Sequence, residues 1–172
     1  GTANAQNGAA LLEQVIATDP FAAAYASLVD AYWFMSTELR TPQLPDALLP
    51  GDALTLMRPL AAKAIELDPL LAEANAAMGM VLSRECDWAD ASRWFRQAID
   101  LNPALTTTYT HYSTSTLIPL GRFQEAGHLL DTALRNDPLS AAVHQELGVL
   151  QLATGRYDDA AASFQQAIAF DS

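Results

Sequence analysis

The chain is short of basic residues, cysteine and long apolar runs, and each shortage excludes a class of protein. Its 172 residues include 9 Lys and Arg against 20 Asp and Glu, which gives a formal net charge of −11. Because binding to nucleic-acid phosphates needs clustered cations, this composition argues against a DNA- or RNA-binding segment. No apolar run approaches the roughly 18 residues of a membrane-spanning helix. We therefore expect no contact of this segment with nucleic acid or membrane.

Groups that carry catalysis or bind metal ions are also sparse. The three histidines lie in different predicted helices, without the i, i+4 pairing or the cysteine partners of a metal site. The sequence contains no Gly-rich phosphate loop and no GxSxG motif, and the single cysteine, Cys86, has no base partner in the sequence. The sequence thus predicts a protein that is not an enzyme and needs no cofactor or metal. One cysteine cannot form an internal disulfide, so the compartment stays open, with the cytoplasm favoured over the periplasm.

What the sequence does contain is a helical repeat unit, clearest from Leu70 to Pro103. Positions 75, 78, 79 and 82 share one helical stripe and positions 88, 91, 95 and 98 share another, which predicts two facing amphipathic helices. Gly79 leaves room for a bulky side chain of the second helix, which we expect to be Trp88. Asp87 is placed to cap that helix, and the proline after Asn102 ends it.

The turn that ends this unit recurs along the chain. Leu67-Asp68-Pro69, Leu101-Asn102-Pro103 and Asn136-Asp137-Pro138 are spaced by 34 and 35 residues, and Phe170-Asp171-Ser172 follows after another 34. A period of 34 built from two helices resembles the tetratricopeptide repeat. The residues that match this family's pattern are Gly79, Leu82, Trp88, Ala91, Phe95, Ala98 and Pro103 in one repeat and Leu147, Gly148, Gly155, Tyr157, Ala160, Phe164 and Ala167 in another. The resemblance implies an all-α fold, a right-handed superhelical solenoid of antiparallel helix pairs, with about three complete repeats plus a leading half repeat. In that pattern Cys86 takes a turn position that is usually glycine.

The period predicts one array over residues 1–172. Residues 8–20 resemble the second helix of a partial repeat, and repeats follow at 21–69, 70–103, 104–138 and 139–172. Prolines and a glycine at 40–51 predict a long loop inside the first of these repeats. Its second helix is expected at 52–67, where Pro59 should kink the helix or delay its start.

Two parts of the array depart from the family pattern. Ser113 and Thr114 stand where the family has a large apolar residue and a small one, so the first helix of repeat 104–138 is the weakest match. At the end of the chain, Phe164, Ile168 and Phe170 have no polar cap. Continuation of the natural protein is the favoured explanation, and self-association through uncapped terminal helices is the other.

The resemblance implies a binding site in the concave groove, which the first helices of such arrays line. The family's groove positions include Asp30, Trp33, Phe34, Met80, Arg84, His111, Tyr112, Ser115, Gln145 and Glu146. The aromatic residues and Met80 are candidate anchors, because interface energy concentrates in buried aromatic side chains. Packing of Trp33 and Phe34 against Phe21 or the 40–51 insertion is an equally weighted alternative.

The groove composition also bears on the partner. Some members of the family clamp peptide carboxylates with cationic residues, which are missing here at Ala26, Asp30, Ala76 and Met80. Since the net charge repels acidic peptides, we expect a protein–protein interaction scaffold that binds a neutral or basic peptide or a partner helix. The order of features is also similar to the C-terminal repeat region of bacterial winged-helix regulators, which implies an alternative: a ligand- or signal-sensing module of a larger regulator. The threonine-rich run 106–116 would then line the groove with hydroxyl groups.

Overall fold

Every regular element in the part of the chain that the structure describes is a helix. The computed structural model describes residues 2–37 and 50–171. The helices are α1 (Thr2–Thr18), α2 (Ala22–Thr37), α3 (Pro50–Leu67), α4 (Ala72–Arg84), α5 (Trp88–Leu101), α6 (Thr106–Tyr112), α7 (Phe123–Asn136), α8 (Ala141–Ala153) and α9 (Tyr157–Phe170). A π-helical turn, Ser113–Leu117, continues α6.

The helices form pairs that stack into a solenoid. In each pair the first helix packs against the helix that follows it, as α2 packs against α3, α4 against α5, α6 against α7 and α8 against α9. The first helices also pack side by side, α2 with α4, α4 with α6 and α6 with α8. Short turns make the neighbours antiparallel. The predicted all-α solenoid is therefore confirmed, and α1, which packs on α2, begins at Thr2 instead of at residue 8.

Two glycines allow close approach within helix pairs. A Cβ built on Gly79 would lie 2.9 Å from the ring of Phe95, and one on Gly148 would lie 2.5 Å from the ring of Phe164. These distances are too short for real side chains, so glycine is what permits the α4–α5 and α8–α9 packing. The expectation that Trp88 fills the space opposite Gly79 is wrong. Because Gly79 lies well inside α4, it faces the middle of the antiparallel α5, where Phe95 lies, and not the first residue of α5.

The turns between the paired helices follow the predicted pattern. Cys86 has a positive φ of 61°, close to the 70° of Gly121 and the 76° of Gly155 at the matching turns. The prediction that Cys86 takes the place of a glycine is confirmed. Asp87 caps α5 by accepting a hydrogen bond from the backbone N–H of Asp90 at 3.4 Å, as expected. Helix α5 ends at Leu101, directly before Asn102 and Pro103.

A second repeating device fixes α4, α6 and α8 to the turns before them. The side chain six residues after the turn proline bonds that proline's carbonyl oxygen, although the residue differs in each of these three repeats. Asn75 Nδ2 donates to the Pro69 carbonyl at 3.0 Å, and the Tyr109 hydroxyl donates to Pro103 at 2.8 Å. His144 Nε2 lies 3.1 Å from the Pro138 carbonyl. A shared donor, and not a shared residue type, holds this position.

The π-helical turn accommodates one extra residue. From the start of α4 to the start of α5 is 16 positions, as it is from α8 to α9, but from α6 to α7 it is 17. The Ile118 N–H donates to the Ser113 carbonyl at 2.9 Å, the i to i+5 bond that defines a π-turn. The 35-residue spacing in the sequence therefore arises inside the first helix of repeat 104–138, which is also where the family match is weakest.

Helix α3 differs from its prediction at two points. It begins at Pro50, so residues 50 and 51 are helical and not part of the predicted loop, since proline is well suited to the first helical position. Residues 40–49 of the insertion lie outside the described residues. The helix also continues through Pro59 and does not start after it. One face of α3 is fully buried at Ala53, Met57, Ala61 and Ala64, and this packing offsets the backbone hydrogen bond that Pro59 removes.

Candidate peptide-binding groove

Four of the predicted groove residues meet across three successive first helices. The Arg84 guanidinium of α4 lies 4.1 Å from the centroid of the Trp33 ring of α2. His111 of α6 reaches the same ring, with 6.4 Å between ring centroids, and its Nδ1 lies 3.8 Å from Asp30 Oδ1. We call Asp30, Trp33, Arg84 and His111 the Trp33 cluster.

The cluster spans α4, because its outer members come from the helices on either side. The α2 and α6 backbones make no close approach to each other in the described residues, so only long side chains bridge them. Between them, α4 carries the buried short side chains of Ala76 and Ala77. Trp33 and His111 therefore meet across α4.

Arg84 is the fixed cation of the cluster. Its Nη2 donates a hydrogen bond of 2.6 Å to the Ser36 hydroxyl, one turn beyond Trp33 on α2. Stacking of a guanidinium on an indole ring is favourable, more so when both are partly removed from water. Burial lowers the pKa of Arg84, and its Nε is buried without a hydrogen-bond partner in the protein. Arg84 is therefore held in one orientation by ring and hydroxyl together.

Asp30 is a carboxylate that the protein pairs only loosely. Its side chain is 50% exposed, yet atoms of the surrounding groove displace bulk water, and this desolvation raises the pKa of Asp30. His111 acts in the opposite direction and Glu73 of α4 adds to the rise in that pKa. The 3.8 Å from His111 is longer than a hydrogen bond. The carboxylate therefore keeps oxygen atoms free for another donor.

The next first helix, α8, carries a second carboxylate with an unfavourable environment. Burial raises the pKa of Glu146 to about 7. Gln145 beside it is exposed. Neither residue contacts the Trp33 cluster directly, so the structure places them farther along the same row of first helices. Carboxylates with raised pKa values are common at functional sites, because folding for stability alone does not favour them.

Three predicted groove residues are not accessible. Met80 and Tyr112 are 0% and 1% exposed, and the Tyr112 ring stacks on Phe95 with 5.1 Å between centroids. The expectation that they act as exposed anchors is wrong, because both positions face the core between helix pairs. Ser115 is also buried and donates to the His111 carbonyl at 2.6 Å. Phe34, in contrast, is 46% exposed.

The hydroxyl groups of the threonine-rich run are mostly buried. Ser83 of α4 and Thr116 of the π-turn lie 2.7 Å apart between their hydroxyl oxygens, and Ser115 joins them at 3.3 Å from Ser83. Thr108 and Thr110 are buried as well. The hydroxyls of Ser83, Ser115 and Thr116 form a polar contact between α4 and the π-turn that continues α6. The buried hydroxyls of the run therefore do not line an exposed groove surface.

Two residues of the site were missed by sequence reasoning. Ser36, which orients Arg84, lies three positions after Trp33 and hence on the same helical face. Glu73, which faces Asp30, lies in the first turn of α4. The i, i+3 spacing from the candidate anchor Trp33 could have indicated Ser36. No feature of the α4 sequence indicates Glu73.

A separate open cleft lies away from the Trp33 cluster. It has a volume of about 590 Å³ and lies between α7, the end of α8 and the start of α9. Phe123, Gly127, His128, Leu150 and Arg156 are among its lining residues. Over residues 2–37 and 50–171 no group of three potential metal ligands comes together, and no helix is long and apolar enough to span a membrane.

Comparison with known proteins supports the repeat. A family model described as a tetratricopeptide repeat matches residues 117–172. Three solved structures share the fold. MamA is 20% identical with a TM-score of 0.55, over 93% of this chain and 84% of MamA, and PilF of Pseudomonas aeruginosa is 23% identical with a TM-score of 0.62, over 87% of this chain and 60% of PilF. A chain of the APC/C hetero-tetramer Cut9–Hcn1 is 15% identical with a TM-score of 0.66, over 96% of this chain and 29% of that one. The fold is that of a tetratricopeptide-repeat solenoid. No curated protein sequence matches the chain. The narrower likeness to winged-helix regulators stays a prediction.

Proposed function

We propose that this solenoid is a non-catalytic scaffold that binds a neutral or basic peptide, or a helix of a partner protein, along the face formed by its first helices. The observation that carries the proposal is the Trp33 cluster. It combines a partly buried aromatic ring, a fixed cation and an underpaired carboxylate on three neighbouring helices. Aromatic side chains of this kind dominate the energetics of protein interfaces.

Charge favours a basic partner over an acidic one. The chain carries a net charge of −11, and Asp30, Glu73 and Glu146 all lie on first helices. Asp30 and Glu146 are partly removed from water, which disfavours their charged forms and raises their pKa values. A cationic partner would relieve this cost, whereas an acidic one would increase it.

The structural relatives are compatible with such a role. One of them is described as a hetero-tetramer of Cut9 with a second protein, Hcn1. The likeness to our chain is one of fold, so it supports a partner-binding scaffold as a class and says nothing of which partner is bound.

The experiment is selection of a random 12-residue peptide library on the immobilised chain, followed by affinity measurement for the selected peptides. We expect Trp33→Ala to weaken binding by about tenfold or more, in line with loss of an aromatic anchor. The matched control is Tyr157→Ala, which removes an aromatic side chain that is 70% exposed on α9. Circular dichroism checks that both variants stay folded. Equal affinity for wild type and Trp33→Ala would refute the proposal.

Two narrower predictions from the sequence remain proposals. The first is that the scaffold belongs to a larger bacterial regulator and senses a ligand. In that case a small polar ligand would stabilise the protein in a thermal-shift screen. The burial of the threonine hydroxyls argues against that role.

The second is self-association through terminal helices, which sedimentation analysis tests. Exposed Ile168 and Phe170 on α9 are the residues that would contribute.

A further inference from the structure

We infer that His111 is an internal stand-in for a basic side chain of the partner, which takes its place beside Asp30 and the Trp33 ring when a peptide binds. This inference rests on the proposed function, since it names the chemistry that the same groove recognises. It adds that the partner must supply a lysine or arginine, and that His111 competes with it.

The two basic side chains near the Trp33 ring are held very differently. Arg84 lies 4.1 Å from the ring centroid and bonds Ser36. His111 lies 6.4 Å from the ring centroid at a 49° tilt, and 3.8 Å from Asp30. Neither His111 contact has the length of a close one, and the His111 side chain keeps 22% of its surface exposed. Displacing the His111 ring therefore breaks no hydrogen bond to Asp30, whereas displacing Arg84 would break its bond to Ser36.

The charges around Asp30 call for a stronger cation than histidine. Two charged residues act on this carboxylate, His111 and Glu73, and Glu73 makes the surroundings more negative. An imidazole offers one N–H toward Asp30, but a guanidinium offers a pair of donors and a lysine ammonium carries a permanent charge. A partner cation at this point would take the place of His111 near the Trp33 ring, one face of which Arg84 already covers.

Arg84 is bonded to α2 at a point away from Asp30. It bonds Ser36, six residues beyond Asp30 on α2, which is about 9 Å along a helix. Its Nε is buried, and its Nη2 is occupied by the Ser36 hydroxyl. The Asp30 carboxylate has only the 3.8 Å approach of His111, so charge complementarity at this carboxylate favours a basic residue.

The test uses peptides selected from the library, with each lysine or arginine replaced in turn by citrulline or norleucine. Citrulline keeps the shape of arginine and norleucine keeps most of the lysine chain, and both remove the charge. We expect one basic position at which replacement weakens binding by about tenfold or more, and Asp30→Asn should weaken the parent peptide by a similar factor. His111→Ala should bind the parent peptide about threefold tighter, because the competitor is gone. Asp158→Asn on α9 is the control for loss of one negative charge.

A second measurement needs no selected peptide. Nuclear magnetic resonance should show the Trp33 indole and His111 imidazole signals shifting with N-acetyl-arginine methylamide and not with its citrulline analogue. Binding that depends on Trp33 but not on Asp30 or on any basic residue would overturn the inference and leave the scaffold intact. Weaker binding by His111→Ala would overturn it too, by making His111 a direct contact. If Trp33→Ala bound the selected peptides as tightly as the wild type does, the proposed function itself would be contradicted.

Discussion

Helices α4 and α6 occupy the same place in successive repeats, yet one is regular and the other is not. Helix α4 runs unbroken for 13 residues and uses Gly79 to approach its partner helix. Helix α6 keeps α-geometry for 7 residues and then passes into a π-turn, with buried Ser113 at the position that matches Gly79. Each helix supplies one basic side chain to the Trp33 cluster, Arg84 from α4 and His111 from α6.

The comparison shows that the turns have the same conformation in both repeats, and that a difference in length between the repeats is accommodated within a helix. The turns after both helices place a residue with positive φ at the same point, Cys86 after α4 and Gly121 after α6. An extra residue between them is accommodated by widening one helical turn, which leaves the following helix in register. The widened turn begins two residues after His111, so the least regular first helix carries the more loosely held basic side chain.

The largest effect is expected from deleting one residue in each helix. Deleting Thr114 from the π-turn removes the extra residue and leaves a 34-residue repeat, so cooperative unfolding should persist. Deleting Ala77 from α4 rotates the rest of that helix by about 100° and exposes its buried face, at a cost of several kcal/mol. Urea denaturation compares the two. Equal losses would mean that the π-turn is not an accommodated insertion.

The next largest loss of stability is expected from substitutions at positions where two paired helices pack closely. Gly79→Ala places a Cβ 2.9 Å from the Phe95 ring and should destabilise the protein by about 1–3 kcal/mol. Ser113→Ala, at the matching position, should change stability by about 1 kcal/mol or less, since its hydroxyl makes only a 3.5 Å contact with the Ala126 carbonyl. Gly127→Ala is the control, because its Cβ would meet Leu150 at an ordinary 3.7 Å. If chemical denaturation gave Gly79→Ala and Gly127→Ala the same loss of stability, the close packing of Gly79 on Phe95 would be contradicted.

The third prediction carries the comparison to α8, which is regular like α4 but holds a desolvated carboxylate. The pKa of Glu146 is about 7 in the folded protein, above the roughly 4.3 of an unfolded glutamate. Ionisation of Glu146 therefore lowers the free energy of unfolding as the pH rises between these two pKa values. The full decrease is present above pH 7. Glu146→Gln should stabilise the protein by about 1 kcal/mol or more at pH 8 and have almost no effect at pH 4. Thermal unfolding at both values, with Asp131→Asn as the control for charge, checks the sign. A gain that is the same at both values would show that Glu146 is not desolvated.

The smallest effect is expected at the two turns. Cys86 adopts a backbone conformation that side chains disfavour by about 1 kcal/mol, and glycine's greater unfolded-state entropy offsets part of that. Cys86→Gly should therefore stabilise the protein by about 0.5 kcal/mol, whereas Gly121→Ala should destabilise it by about 1 kcal/mol. Thermal unfolding measures both. A loss of stability in Cys86→Gly would mean that the thiol makes a contact worth more than the strain.

Sequence reasoning succeeded where the signal is local. The turn prolines, the Asp87 cap and the left-handed position of Cys86 each depend on a few neighbouring residues, and the 34-residue period follows from them. The groove positions, Trp33 and Arg84 among them, came from the family resemblance, and their role in binding stays a prediction.

The errors arose where the answer depends on how helices lie against one another. Whether Phe95 or Trp88 fills the space beside Gly79 depends on the level at which two antiparallel helices cross. Met80 and Tyr112 share the helical spacing of groove residues, but the stacking of neighbouring repeats covers both. Helix α3 passes through Pro59 because tertiary burial outweighs a local preference. Such outcomes need the three-dimensional packing, which no single stretch of sequence contains.

The central claim is that the first helices form the binding face, and spin labelling tests it directly. A library-selected peptide that carries a nitroxide label is added to the isotopically labelled protein, and paramagnetic broadening of backbone amide signals is mapped. We predict the strongest broadening around Asp30 and Trp33 on α2, Ala76 on α4 and His111 on α6. Broadening centred instead on the cleft near Phe123 and Arg156 would contradict the account.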